Sequence, residues 1–481
     1  MVFSSLLFLY AFLPLSLLGY ALCRTLEAKN TCLLIFSLIF YAWGEPVYVL
    51  LLLFMAFADW FCALKISRAE RSAGKLWLAL AIVVDLSLIG VFKYAGFFCS
   101  LFGPIPPAVQ KITLPIGISF YTFQLLTYVI DVYRKEASPQ QRYRDVLLYA
   151  ALFHQCIAGP IVRYQSIAEE LFVARSGASE IDDAVRRFCI GLAKKALLAN
   201  PCGAVADSLL IDSAAASAPA LFADNLARLQ SLTVLGSWLG IGAFTLQIYL
   251  DFSAYSDMAI GLGKMLGLHY PENFNYPYLS RSVTEFWRRW HMTLGAFFRD
   301  YVYIPLGGNR VSRFRNVFNV FVVWFLTGLW HGASWNFVLW GMYFFVLLMV
   351  EKLLLLPLLN RSKVLSHLYL LLAVILGWVI FHYTDVRLAQ AVLSGLFGAN
   401  GNPLSDFLSV TVFQNNIFLL LASCLACTPL FSRCAAFLDG KWNGTFLWET
   451  VKNAVFPIAL LFLSTCALVG ESYNPFLYFQ F

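Results

Sequence analysis

Charge is what this sequence has least of. Only 13% of its residues are Asp, Glu, Lys or Arg while 60% are hydrophobic, against roughly 25% charged in soluble proteins. A soluble fold of that composition would expose large apolar patches, so the chain is read as an integral membrane protein. The alternating segments of a membrane β-barrel are missing. The apolar runs are continuous and leucine-rich, which makes them helices. No basic residue precedes the first run, Val2–Cys23; the first is Arg24, after it. A secretory signal has the opposite arrangement, so this run is expected to be a retained first helix with an extracytoplasmic N-terminus. No His-x-x-x-His pair and no full P-loop spacing occur, so neither zinc chemistry nor a nucleotide cradle is supported, and no metal is expected. The cysteines Cys62, Cys156 and Cys466 lie in apolar segments and act as small hydrophobes. Cys424 and Cys427, with Cys434, have no nearby histidine and read as packing. The net charge of +7 is spread between apolar runs, the ordinary pattern of cytoplasmic loops. Membrane lipid is therefore an expected partner and nucleic acid is not.

Loop charges give a topology. Arg24 and Lys29 follow the first helix, and Glu45 alone marks the next turn. Lys65, Arg68, Arg71 and Lys75 follow the third helix, Lys111 the fourth, and Arg134, Lys135, Arg142 and Arg144 the fifth. Odd loops are basic and even loops are not, as positive-inside alternation requires. Val146–Ile161 is expected to break at Gly159-Pro160 and to return to its starting side. The amphipathic segment bearing Arg186, Arg187, Lys194 and Lys195 should lie at the cytoplasmic interface. Ala196–Ile211, Leu232–Leu250, Val364–Thr384, Asn416–Phe431 and Val455–Val469 should cross. The expected fold is an all-α integral membrane bundle of roughly 11 to 13 membrane segments, some re-entrant, forming one polytopic domain over residues 1–481.

One polar stretch, Leu279–Trp335, interrupts the hydrocarbon. It holds His291 and His331, the acids Glu285 and Asp300, and arginines at 281, 288, 289, 299, 310, 313 and 315. Ionisable groups within a bilayer mark functional sites by default. If Arg315 and Lys352 are both cytoplasmic, residues 316–351 must go in and come back. His331 then lies about 24 Å deep, most of a ~30 Å hydrocarbon core. Gly332 would permit close packing or a sharp turn beside it, with Trp330 and Trp335 as walls on either side. A neutral imidazole there could take the proton of an attacking hydroxyl; a structural histidine bonding across helices is the alternative. His291 could orient an acyl group or polarise its carbonyl, or cap an interfacial helix. Arg288, Arg289, Arg299 and Arg310 could bind a phosphate-rich donor or anchor a helix to headgroups. Asp251 and Asp257 do not share a helix face, and are expected to accept hydrogen bonds from the arginine cluster or a histidine. His154, near the Gly159-Pro160 break, could line the same cavity.

A family resemblance rests on long runs: Asp251-Phe-Ser-Ala-Tyr-Ser-Asp-Met-Ala-Ile-Gly261, Pro271-Glu-Asn-Phe-Asn275, Phe286-Trp-Arg-Arg-Trp-His291, Arg299-Asp-Tyr-Val-Tyr-Ile-Pro-Leu-Gly-Gly-Asn-Arg310 and Leu329-Trp-His-Gly332. With Leu114-Pro-Ile-Gly-Ile-Ser-Phe120 and Ala158-Gly-Pro-Ile161 they make nearly the whole chain resemble the membrane-bound O-acyltransferase (MBOAT) superfamily, most of all its bacterial alginate O-acetylation branch. The resemblance implies a multi-helix catalytic core over about residues 114–357 with a funnel, His331 as the catalytic histidine and His291 as the second. It also implies an enzyme of a bacterial cytoplasmic membrane. Acetyl would come from a cytoplasmic thioester, acetyl-CoA. It would pass to an extracytoplasmic polysaccharide such as alginate or peptidoglycan, directly or through an extracytoplasmic acetyltransferase partner. Two positions depart from the family pattern: Met292-Thr-Leu-Gly295 replaces Ile-Ser-Leu-Ser, and Ala254 a frequent glycine. The alternatives are D-alanyl transfer to teichoic acid and a transporter of polysaccharide or lipid-linked sugar that does no chemistry.

Overall fold

The structure, a computed structural model, describes residues 1–175, 180–211, 221–470 and 476–477. Among the described residues every regular element is helical. Six helical stretches are long and apolar enough to cross a membrane: Val49–Arg68, Arg71–Phe102, Trp335–Leu359, Lys363–His382, Phe407–Ala426 and Phe446–Leu468. A seventh arises if Phe222–Gln230 and Val234–Met265, bent by 113°, count as one span. Length and composition select fewer spans than charge alternation, because other long helices turn polar side chains into protein. Helix Ile118–Arg134 buries Thr122, Gln124, Thr127 and Asp131. Helix Arg313–His331 buries Asn319, Thr327 and His331.

The chain divides into two compact units. The first comprises Met1–Leu192, Tyr255–Glu272 and Val455–Gln480, the second Ala193–Ala254, Asn273–Ala454 and Phe481. Ile118–Arg134 is the core helix of the first unit and packs against Val49–Arg68 and Arg71–Ile89. Its start is set by Gly117, whose φ is +79° and whose position leaves no room for a side chain: a Cβ would sit 2.5 Å from the Cys156 carbonyl oxygen. That carbonyl belongs to the irregular segment after helix Tyr143–Ala151. The helix thus stops well before Gly159-Pro160, where the sequence places the break. Side chains take over the segment's hydrogen bonding: Phe153 N donates to Ser37 Oγ at 3.2 Å and Tyr149 Oη to the Val162 carbonyl at 2.8 Å. Irregular backbone at membrane depth requires such partners.

The polar end of the first unit is laced by ion pairs. Arg187 binds Asp257 at 3.1 Å and Glu272, and Lys264 binds Asp183 at 2.8 Å. His269 is clamped between Glu170, at 2.6 Å from Nδ1, and Glu180, at 3.0 Å from Nε2.

In the second unit, helices Arg313–His331 and Trp335–Val350 form a hairpin with the turn at Gly332–Ser334. Gly328 and Gly341 bring the two backbones into contact: a Cβ on Gly328 would lie 2.4 Å from Phe337 O, and one on Gly341 2.4 Å from Trp324 O. Helix Lys363–His382 packs against the returning arm. Within a bilayer, where lipid is as apolar as leucine, such close backbone packing holds helices together.

Hydrogen bonding to Glu180, and then to Glu170, raises the pKa of His269 above its ordinary value. A raised pKa gives stability that is complete below the free value of about 6.5 and lost as pH climbs through the raised folded value. As pH rises above about 6.5, the Tm of the wild-type chain should therefore fall more steeply than that of His269→Gln. Parallel Tm curves would show that the clamp contributes nothing.

Candidate functional site

The second unit assembles its polar centre on a frame of aromatic rings. Trp287 packs against Trp324, Trp340 and Phe344 with centroids 4.9, 5.4 and 4.9 Å away. Trp290 packs against Phe274 at 5.2 Å and Trp378 at 5.0 Å. Short helix Val283–Trp287, which carries part of this frame, is held by Ser282 at its N-cap and by Glu351. The Glu351 carboxylate accepts from Val283 N at 2.6 Å and Thr284 N at 3.0 Å. A carboxylate on the first amides of a helix is favoured by both hydrogen bonding and the helix dipole. It ties the arginine-bearing segment to the end of helix Trp335–Val350.

His331 is the last residue of its helix and is 6% exposed. Trp330 lies 5.0 Å from its ring, Trp340 5.0 Å and Phe381 5.3 Å, all three edge-on. Phe381 is brought there by Asn336, whose Nδ2 donates to the Phe381 carbonyl at 3.2 Å while its Oδ1 accepts from Ser334 Oγ at 2.5 Å. Trp335 begins the next helix and is 55% exposed. The turn at Gly332–Ser334 resets the helical phase, and Trp340 on the returning helix brings its ring to His331.

His291 is 2% exposed and touches the same tryptophan, its ring 5.8 Å from Trp330 and 4.8 Å from Phe252. Its backbone is left-handed, with φ 45° and ψ 52°, a conformation that costs a side-chain-bearing residue about 1–2 kcal/mol. Asn273 holds it there. The Asn273 carbonyl accepts from Met292 N at 3.0 Å, and its Oδ1 lies 3.0 Å from His291 Nδ1 and accepts from Thr293 Oγ1 at 2.9 Å. An acceptor at Nδ1 places the ring proton there and leaves the Nε2 lone pair facing away. Burial pushes the His291 pKa down to about 3, so the ring is neutral near pH 7. Trp330 thus joins the two histidines, and the left-handed turn and Asn273 aim one of them.

The arginines do not form a single cluster. Arg289 binds Glu285 at 2.6 Å and Arg299 binds its neighbour Asp300 at 2.6 Å. Arg288 and Arg310 are exposed, and among the described residues neither forms an ion pair. The loop Leu306–Asn309 turns carbonyls toward Asn316 and Asn319, which donate to Gly308 O at 3.1 and 3.2 Å, so it is no amide-lined cradle. Asp251 and Asp257 each hold a cation from another part of their unit. Asp251 forms an ion pair with Lys195 at 2.6 Å, the lysine 3% exposed, and Asp257 belongs to the first unit and binds Arg187. His154 also lies in the first unit. Asn273 was visible only as part of a motif, and Asn336, Trp340, Phe381, Glu351 and Lys195 carry no local signal that marks them.

A helical membrane protein with this buried, tryptophan-bridged histidine pair finds its class by comparison. Residues 138–393 match the family model of MBOAT, the membrane-bound O-acyltransferase family, and the chain belongs to that family. It is a membrane acyltransferase. It is 38% identical over 416 residues to the probable alginate O-acetylase AlgI of Pseudomonas aeruginosa, covering 84% of this chain and 76% of that one. It is 30% identical over 549 residues to the peptidoglycan O-acetyltransferase of Helicobacter pylori, covering 100% and 98%. The teichoic acid D-alanyltransferase of Bacillus subtilis is 29% identical over 251 residues, covering 48% of this chain and 58% of the relative.

The hairpin can be tested apart from chemistry. Gly328→Ala drives a methyl into a backbone carbonyl, whereas Gly332→Ala meets the edge of the Phe337 ring, 2.2 Å from its Cε2, which can turn aside. Gly328→Ala should therefore cost about 1–3 kcal/mol and lower the Tm more than Gly332→Ala. Equal losses would mean the backbone contact is not what limits the hairpin.

Proposed function

We propose that this enzyme takes acetyl from acetyl-CoA on the cytoplasmic side and passes it across the membrane for O-acetylation of an extracytoplasmic polysaccharide. The observation that carries the reading is the pair of buried histidines on one tryptophan, at the closed end of a hairpin whose open end bears arginines. The relatives that span the whole chain are named as acetyl-transferring proteins. The D-alanyl relative covers half of it, which favours acetyl over D-alanyl. Alginate and peptidoglycan both remain acceptors consistent with those names. An extracytoplasmic acetyltransferase as the receiving partner, a bacterial inner-membrane location and an extracytoplasmic N-terminus complete the proposal. Residues 138–393 overlap most of the proposed catalytic core at about 114–357, within one polytopic domain.

In the proposed step, the acceptor hydroxyl oxygen attacks the thioester carbonyl while His331 takes the hydroxyl proton. The carbon–sulfur bond breaks, and the departing thiolate collects that proton, which leaves an ester and a free thiol. His291, neutral and fixed by Asn273, orients the acyl group. Arg288 and Arg310, exposed and not engaged in ion pairs, suit the donor phosphates better than Arg289 and Arg299, which already hold carboxylates. Trp330 and Asp251 support the site through packing and the Lys195 ion pair.

Purified wild-type chain should consume acetyl-CoA and release free thiol, which a transporter would not do. His331→Ala should lower that rate about 10²–10⁴-fold with normal expression; wild-type turnover in this variant would overturn the assignment. Asn273→Leu should reproduce most of the loss seen in His291→Ala, about tenfold or more, mainly in kcat. Full activity in Asn273→Leu would show that orientation of His291 does not matter.

A further inference from the structure

We propose that the first unit carries a binding site for a phosphate ester, formed by Arg175, Lys29 and His154. Tyr20 is its centre. The Arg175 guanidinium lies 5.4 Å from the centroid of the Tyr20 ring and Lys29 Nζ lies 5.0 Å from it, so two cations meet at one aromatic ring. Arg175 Nη1 donates to Tyr20 Oη at 2.8 Å, and Nη2 donates to Asn30 Oδ1. Its Nε is buried and meets no acceptor among the described residues. The nearby acids are engaged elsewhere. Glu27 takes Arg142 and Arg144, and Glu170 takes the His269 backbone amide and ring.

His154 is fully buried. The Tyr270 hydroxyl lies 2.5 Å from its Nδ1. As a donor to that nitrogen it leaves the ring proton on Nε2, and Nε2 is buried with no partner among the described residues. Tyr20 Oη in turn donates to the Leu266 carbonyl at 2.8 Å, on the segment that carries Tyr270. Arg175, Lys29, Tyr20 and Asn30 are half-buried, so solvent can reach them.

Two buried N–H donors without acceptors and two cations without a carboxylate, among the described residues, leave an electrostatic deficit. An oxygen-rich anion removes it. Donors approaching from Arg175, Lys29 and His154 suit the several oxygens of a phosphate better than the two of a carboxylate, and guanidinium geometry matches phosphate. The same chemistry is offered by a phospholipid headgroup and by the phosphates of a soluble thioester donor.

The test uses the purified full-length chain in neutral detergent. Retention of phosphatidylglycerol is followed by native mass spectrometry and binding of coenzyme A by calorimetry. Arg175→Gln should weaken one of the two probes about tenfold and Lys29→Gln about threefold, as loss of charge-assisted contacts does. Arg175→Lys should keep more binding than Arg175→Gln. The probe that responds identifies the source of the phosphate. If both glutamine variants keep wild-type Tm and bind both probes within twofold of wild type, the site is refuted. Should Arg175→Gln fail to fold, Lys29→Gln decides alone, because among the described residues that lysine makes only the ring contact.

Discussion

The contact on which the second unit depends is the backbone-to-backbone approach of Gly328 and Gly341. With no side chains between them, helices Arg313–His331 and Trp335–Val350 run close enough for three residues to close the turn. That closure fixes His331 at a helix end, where Gly332 leaves its extended backbone against the Phe337 ring. It also aims Asn336 at helix Lys363–His382, and through that bond Phe381 reaches the imidazole. Hydrophobic association is weak between helices already in lipid, so packing of small residues and interhelical hydrogen bonds must carry specificity. The hairpin uses both within one turn.

The surroundings of the two histidines differ in a way that bears on chemistry. His331 is enclosed by ring edges and faces, which exclude water and lower the local dielectric, so charge developing there is felt strongly. His291 is held by a polar partner and by strained backbone. Strain of this kind persists only where neighbouring groups over-determine it, and here hydrogen bonds from His291, Met292 and Thr293 converge on Asn273. In the proposed reaction one imidazole moves a proton while the other keeps a fixed orientation.

Composition makes the membrane class legible, and the apolar runs around Asn316–Glu351 make the hairpin legible, because both are local properties of the chain. The motif runs place both histidines in one stretch. Side-chain partners are legible only where they are near in sequence, as with Arg289 and Glu285. Asp251 finds Lys195, and Glu351 finds Val283, across separations with no periodic trace. The Trp340 contact with His331 escapes notice for another reason: the two residues lie on different helices, and the geometry of the turn between them sets which ring of the second helix faces back. The early end of helix Tyr143–Ala151 escapes notice because Ser37, remote in sequence, and the helix's own Tyr149 side chain replace its lost backbone bonds.

A chain this poor in charge makes the state of each buried ion informative. Desolvating an ion costs several kcal/mol unless a partner compensates, and the second unit meets that cost at Lys195 with Asp251 and at Glu351 with two helix amides. The same rule applied to the first unit separates its polar groups into two kinds. Arg187, Lys264 and His269 are balanced by acids and act as fasteners. The donors of Arg175 and His154 that face no acceptor among the described residues are not fasteners of that sort. Their cost is met only when something with acceptor oxygens arrives, which is the physical signature of a place kept for a ligand.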